Sequence, residues 1–426
     1  MPMTSGFYRI IAPVLEPFAA LYLLKRSMRQ KAYLKGWGER FGFSSFQGFG
    51  NRHPIFWIHA VSVGETNAAE PLIDAILKAY PKGAIILTHM TPTGKDAGLK
   101  LVQKAPERIV QRFLPYDTVG NARRFFKAVK PDIGLIMETE VWPTFLREAK
   151  RAGCPTVLVN GRLSEKSLRA ALRWSPLMRD AYSDLTAICA QSASDAERYL
   201  KLQDKTPLIT GSLKFDVKIN DEVVKRAQKD KARCAKKIIL LASSREGEEK
   251  PFIEAIKAQG RRDILYVLVV RHPQRFDAVA KDLEDAFVHF ERRSRCAFDE
   301  LPENALVYLG DTMGEMAYYC ALADVVIMGG SFGNFGSQNV IEPASIGRGV
   351  IVGPSTFNFS FVIAEGLKKG GLRQVENMPQ AVDLAVEIVS DAALTADFGE
   401  KASRFAKSLK GATSKTMRLI KETLKS

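Results

Sequence analysis

Three segments place ionisable side chains directly after short apolar runs, where a doubly wound fold presents residues to a ligand. The first is His59-Ala60-Val61-Ser62-Val63-Gly64-Glu65-Thr66-Asn67. A helical stretch follows, so Glu65 stands near a helix N-terminus, where the macrodipole favours an ionised carboxylate and hence a general base. Ordinary helix capping accounts for Glu65 equally well. The second is Met137-Glu138-Thr139-Glu140-Val141-Trp142-Pro143, two carboxylates beside an indole. One of them can orient a sugar or hold a lysine; the alternative is capping before the turn at Pro143. The third, Gly211-Ser212-Leu213-Lys214-Phe215-Asp216, carries a lysine suited to the anion of a sugar acid or to developing negative charge. Its plainer reading is a solvated linker lysine.

A second group of segments suits a phosphate and a ribose. Val270-Arg271-His272-Pro273 ends an apolar run with a guanidinium that can bond phosphate bidentately, or with a surface arginine before a turn. In Gly310-Asp311-Thr312-Met313-Gly314-Glu315 the spacing of Thr312 and Glu315 is that of a capping box. It predicts a helix from Met313 with free N–H groups for an anion, and a Glu315 side chain engaged in capping. The glycines of Gly329-Gly330-Ser331-Phe332 let backbone approach a ligand closely. In Asn339-Val340-Ile341-Glu342-Pro343-Ala344 the carboxylate can accept from both hydroxyls of a ribose. A glycine turn followed by a capped helix is the alternative.

The elements that must hold these residues form two series. Apolar runs recur at Ile55–Val61, Ala84–Thr88, Ile133–Met137, Thr156–Val159 and Thr186–Cys189, with amphipathic stretches such as Asn67–Ala79, Asn121–Val129 and Ala193–Leu202 between them. A second series runs through Lys237–Leu241, Ile264–Val270, Ala305–Leu309, Val325–Met328 and Val350–Val352. Continuous rather than alternating apolar strands, each followed by a helical period, predict parallel sheets covered on both faces. The fold class is α/β: two Rossmann-like doubly wound domains facing a cleft lined by the carboxyl ends of their strands. The seam is expected near Pro207–Lys214. This gives an N-terminal segment over 1–50, a first domain over 51–212 and a second over 213–426.

A length of 426 residues suits two such domains. The net charge of +15 is concentrated at the ends: Lys25 to Arg40 holds six basic residues against Glu39, and Lys401 to Ser426 holds eight against Glu422. Charge confined to the termini, with carboxylates in the expected cleft, disfavours nucleic acid as a partner and suits docking on a surface. Five cysteines without CxxC spacing point to a reducing compartment, and five histidines without HxxxH or HExxH spacing lead us to expect no metal. Phe7 to Leu24 is apolar but holds Arg9, Glu16, Pro13 and Pro17, short of a clean spanning segment. Backed by Lys25, Arg26, Arg29, Lys31 and Lys35, it suits anionic headgroups, each cation contributing about 1 kcal/mol. A buried first helix is the alternative.

Taken in order along residues 20 to 410, these segments resemble the 3-deoxy-D-manno-octulosonic acid (Kdo) transferases. With them run Gly36-Trp37-Gly38-Glu39-Arg40-Phe41-Gly42, Thr91-Pro92-Thr93-Gly94 and Leu114-Pro115-Tyr116-Asp117. The resemblance implies the GT-B fold, a place on the cytoplasmic face of the inner membrane, and inverting transfer of Kdo from CMP-Kdo to the phosphorylated lipid A precursor, lipid IVA. It implies Glu65 as proton acceptor and Glu138 and Lys214 as transition-state stabilisers. It assigns CMP binding to Val270, Arg271, Met313, Gly314, Glu315, Asn339, Val340, Ile341 and Glu342. CMP-Kdo is then the donor substrate and no cofactor is expected. The chain departs from the family pattern at Arg245, Ser337, Gln338 and Val270. Rival readings are a GT-B-type sugar-nucleotide epimerase and a non-catalytic basic membrane-binding protein.

Overall fold

The computed structural model describes residues 4–28, 30–43, 48–216, 219–296, 301–302 and 304–425. Arg29, one of the basic residues named above, and residues 44–47 of the N-terminal segment lie outside them. The chain forms two compact units, Met1–Val217 with Lys410–Ser426, and Lys218–Leu409.

In the first unit seven strands form one parallel sheet: β1 (Ile55–His59), β2 (Ala84–His89), β3 (Ile109–Phe113), β4 (Ile133–Met137), β5 (Thr156–Gly161), β6 (Ala187–Ala190) and β7 (Leu208–Ile209). Their order is β3-β2-β1-β4-β5-β6-β7. The second unit repeats the plan with β8 (Lys237–Ser244), β9 (Ile264–Val270), β10 (Phe290–Arg292), β11 (Val307–Gly310), β12 (Val325–Met328), β13 (Gly349–Val352) and β14 (Leu372–Gln374), ordered β10-β11-β9-β8-β12-β13-β14. The parallel α/β reading of the sequence therefore holds. Every residue of β1, β2, β4 and β9 is buried, as strands covered by helices on both faces require.

The division of the chain differs from the expected one at 212/213. The helix Ala412–Thr423 returns to the first unit, where Ala412 and Ile420 join a core that includes Leu72, Ile73 and Leu213. Asp216 accounts for its seating: its carboxylate accepts from Gly411 N at 2.7 Å and Thr413 N at 2.5 Å, capping that helix. Much of the C-terminal positive charge thus sits on the same unit as the N-terminal segment.

The helix Ser5–Ser27 runs through Pro13 and Pro17 and is apolar enough to cross a membrane by length and composition, with 11% of its most apolar window buried. Several of its polar side chains face its own unit. Arg9 pairs with Glu148 at 2.8 Å, the Tyr8 hydroxyl donates to Asp117 at 2.9 Å, and Glu16 accepts from Thr118 at 2.9 Å and from Asn121. Phe7, Ile10, Val14, Leu15, Phe18, Leu21 and Tyr22 are left exposed. The 3.6-residue period is therefore inverted relative to an ordinary surface helix.

Candidate functional site

At the carboxyl edge of the first sheet, the loop after β1 leads into a helix at Val63–Ala79 whose N-cap is Ser62. Glu65 closes a capping box with it. Ser62 Oγ accepts from Glu65 N at 3.4 Å and donates to Glu65 Oε1 at 3.0 Å, while Val61 N donates to Oε2 at 2.8 Å. The capping reading of Glu65 is therefore met, and each carboxylate oxygen keeps a further lone pair. The helix N-terminus was expected to favour the ionised form. Instead burial raises the Glu65 pKa, Glu138 adds to the rise, and the two hydrogen bonds and Lys214 offset it only in part. A carboxylate made more basic this way is a better proton acceptor.

The loop holding Glu65 is braced from the next strand. Thr91 Oγ1 donates to Val61 O at 2.9 Å and accepts from Gly94 N at 3.1 Å. A Cβ on Gly94 would come within 2.5 Å of Val61 O, so this close approach requires glycine. Asp117 does the same for the second segment, accepting from Thr144 N and Phe145 N at 3.1 and 2.8 Å to cap the helix Pro143–Arg151.

Glu138 follows β4 with a left-handed backbone, φ 55°, and Glu138 Oε1 lies 2.9 Å from Lys214 Nζ. Asn160, after Val159 of β5, is also left-handed at φ 56° and donates from Nδ2 to the same Oε1 at 3.3 Å. Glu140 accepts from Trp142 Nε1 at 3.2 Å, and its pKa is pushed up to about 7 by burial, then by Glu65 and Glu138. His59 is fully buried beside Trp142, its pKa driven down to about 3 by burial and by His89, so it is a neutral packing ring. The structure thus brings Glu65, Glu138 and Lys214 together within one unit and adds Glu140 and Asn160. Asn160 was missed because an asparagine after a strand reads as a turn residue; its chemistry appears only once Leu213 and Glu138 are placed around it.

In the second unit the residues matched to CMP binding lie along the carboxyl edge of one sheet, where ligands of such folds bind. Arg271 is exposed after β9, and no hydrogen bond or ion pair of its side chain appears among the described residues. Val270 is in the core, so only its backbone is available. The helix expected from Met313 begins at Met316 instead, because Gly314 turns to φ 83° and Glu315 N–H is not drawn onto Thr312. Glu315 is occupied by Arg293 at 3.0 Å and by Thr312, leaving the Met313–Gly314 turn to border an open pocket of about 550 Å³.

Asn339 Oδ1 accepts from Ile341 N at 3.1 Å, Val340 and Ile341 are buried, and Glu342 has its pKa raised by burial alone. No hydrogen bond or ion pair of the Glu342 carboxylate appears among the described residues. In the glycine loop the amides are engaged: Glu248 accepts from Gly330 N at 2.8 Å, Phe332 N at 2.9 Å and Arg245 N at 2.8 Å. Arg245, Ser337 and Gln338, departures from the family pattern, meet at this loop. Ser337 N donates to Gly330 O, Gln338 N to Gly329 O, and the Arg245 guanidinium lies 4.1 Å from the Phe335 ring.

Residues 35–217 match the family model described as 3-deoxy-D-manno-octulosonic-acid transferase (kdotransferase). The chain is 37% identical to a 3-deoxy-D-manno-octulosonic acid transferase of Bordetella pertussis, over 99% of this chain and 100% of that one. Among solved structures it is similar to a glycosyltransferase of Rickettsia africae, with TM-score 0.56 and 15% identity over 88% of this chain and 100% of that one. It is similar to the same degree, TM-score 0.56 and 14% identity over 87% and 99%, to UDP-GlcNAc 2-epimerase of Neisseria meningitidis bound to UDP-GlcNAc. Structural likeness alone therefore fits transferase and epimerase equally; the sequence identity separates them.

The raised Glu140 pKa has a consequence for stability. Between its ordinary 4.5 and about 7 the folded protein holds a proton that the unfolded chain has released. Stability therefore falls as pH rises through that window. Glu140→Gln is expected to be the more stable protein at pH 8, by about 1–2 kcal/mol after screening of the half-buried group, and to match the parent near pH 4.5. Urea denaturation at the two pH values checks this; equal midpoints at pH 8 would contradict it.

Proposed function

The chain belongs to the 3-deoxy-D-manno-octulosonic acid transferase family, and from that premise we propose that it moves Kdo from CMP-Kdo onto the phosphorylated lipid A precursor. It is a glycosyltransferase with the two parallel-sheet units of the GT-B fold. The observation that carries the reading is the cluster at the carboxyl edge of the first sheet, where Glu65 stands within electrostatic reach of Glu138 and Lys214.

The reaction is a single inverting displacement. Glu65 takes the proton of the acceptor hydroxyl as that oxygen attacks the anomeric carbon. The bond from this carbon to the phosphate oxygen breaks, and CMP leaves with the electron pair. Desolvation of Glu65 supports this role, since it brings the base closer in pKa to the proton it must take. The Lys214 ammonium, held by Glu138 yet 45% exposed, can meet negative charge on the sugar acid or at the departing group. In the second unit Arg271 offers its guanidinium to the phosphate, and Glu342 offers its carboxylate to the ribose hydroxyls. Glu315, engaged by Arg293, contributes by shaping the Met313–Gly314 turn.

The acceptor is a lipid, and the helix Ser5–Ser27 supports a place on the inner-membrane surface. Its Tyr8, Arg9 and Glu16 side chains are engaged by its own unit while its apolar face is outward, which suits lying in the interface rather than crossing the bilayer.

Incubation with CMP-Kdo and the phosphorylated lipid A precursor is expected to add the mass of Kdo to the lipid. Glu65→Gln should slow this about 10²–10⁴-fold while CMP binding, followed by calorimetry, stays the same; a near-normal rate would remove Glu65 as the base. Replacing Phe18 and Leu21 together by serine should weaken co-sedimentation with anionic vesicles roughly tenfold or more at unchanged melting temperature. Unaltered co-sedimentation would refute the interfacial helix.

A further inference from the structure

Met137 of β4 pairs with Val159 of β5, so Glu138, just past the end of β4, and Asn160, near the end of β5, follow paired residues. Both turn into the left-handed region, and asparagine tolerates that backbone better than most residues with a side chain. The Asn160 side chain has no exposed surface and faces two ways. Its Oδ1 accepts from Leu213 N at 3.0 Å, which fixes the orientation of the amide. Its Nδ2 then points at Glu138 Oε1, 3.3 Å away, the same oxygen that takes Lys214 Nζ at 2.9 Å. The main chain is held from a third side, Gln191 Nε2 donating to Asn160 O at 2.9 Å.

A half-exposed lysine on a flexible stem gains little from one ion pair and wanders unless its root is fixed. Here one carboxamide holds the carboxylate that receives the ammonium and the backbone from which the lysine springs. We propose that Asn160 is a positioning residue for sugar transfer, setting the place of the Lys214 ammonium through Glu138 on one side and Leu213 on the other. The inference rests on the reading of Glu138 and Lys214 given under Proposed function.

The test is a double-mutant cycle on kcat for Kdo transfer. Asn160→Gly keeps the left-handed backbone and deletes both side-chain bonds; Lys214→Met removes the group to be positioned. Asn160→Gly should lower kcat roughly 10- to 100-fold in the parent and have no further effect in the Lys214→Met background. Equal losses in both backgrounds would mean that Asn160 acts on the fold generally, and would overturn the proposal. A Lys214→Met protein that transfers at the parent rate would overturn the reading of the lysine, and this inference with it.

Should Asn160→Gly fail to fold, Asn160→Asp decides. It keeps the acceptor for Leu213 N but donates to Glu138 only when its carboxyl is protonated. Its kcat relative to the parent should therefore recover as pH is lowered, at a constant melting-temperature difference from the parent. A ratio independent of pH would overturn the proposal.

Discussion

A lysine ammonium 2.9 Å from a carboxylate whose own backbone is left-handed is the contact on which the first unit's site is organised. Nothing in a parallel sheet supplies that geometry by default. Met137 of β4 and Val159 of β5 are paired, and the residue after each takes a left-handed backbone that side chains rarely adopt, at a cost of order 1–3 kcal/mol each. The neighbours that hold the turns are specific: Val159 O receives Glu138 N, Gln191 holds Asn160, and Asn160 in turn holds Leu213. Asp216 then ties the end of the same segment to the returning C-terminal helix. The lysine is thus fixed from before and after in the chain.

The electrostatics follow from crowding. Glu65, Glu138 and Glu140 act on one another with Lys214 among them, and burial pushes the pKa of Glu65 and Glu140 upward. Ordinary folding would separate such groups or bury them in ion pairs. Their retention near a strand edge supports the proposed proton transfer. The second unit solves the complementary problem. Its internal carboxylates, Glu248, Glu249 and Glu315, are occupied by amides or arginines, while among the described residues no hydrogen bond or ion pair engages the side chains of Arg271 and Glu342.

What the sequence disclosed, and what it did not, divides along the sheets. The central strands were legible as continuous apolar runs because they are buried on both faces. The four strands missed, β3, β7, β10 and β14, are the sheet edges. They carry Gln111, Arg112, Glu291, Arg292, Arg373 and Gln374, or are only two residues long, because one side meets water or a loop. Glu65, Glu138 and Lys214 were visible as unusual residues after strands, but their meeting was not, since 149 positions separate Glu65 from Lys214. Helix starts misled at Met313 because capping-box spacing says nothing of a left-handed glycine between the two residues. The acceptor that occupies amides of the glycine loop, Glu248, was not legible because it lies 82 residues before Gly330. The inverted face of the helix Ser5–Ser27 was hidden for the same reason: Arg9 and Glu16 look like interruptions until Glu148 and Asn121 are beside them.

In the proposed mechanism Glu65 is a base whose affinity for the proton is raised by burial and tuned by its two charged neighbours. The most direct measurement is the acid limb of kcat/KM against pH in the parent, Glu138→Gln and Lys214→Met proteins. Glu138 raises the Glu65 pKa and Lys214 lowers it. The limb should move to lower pH in Glu138→Gln and to higher pH in Lys214→Met, in opposite directions from the parent. A limb that stays in place in both proteins, whatever their residual rates, would contradict the assignment of Glu65 as the proton acceptor in this cluster.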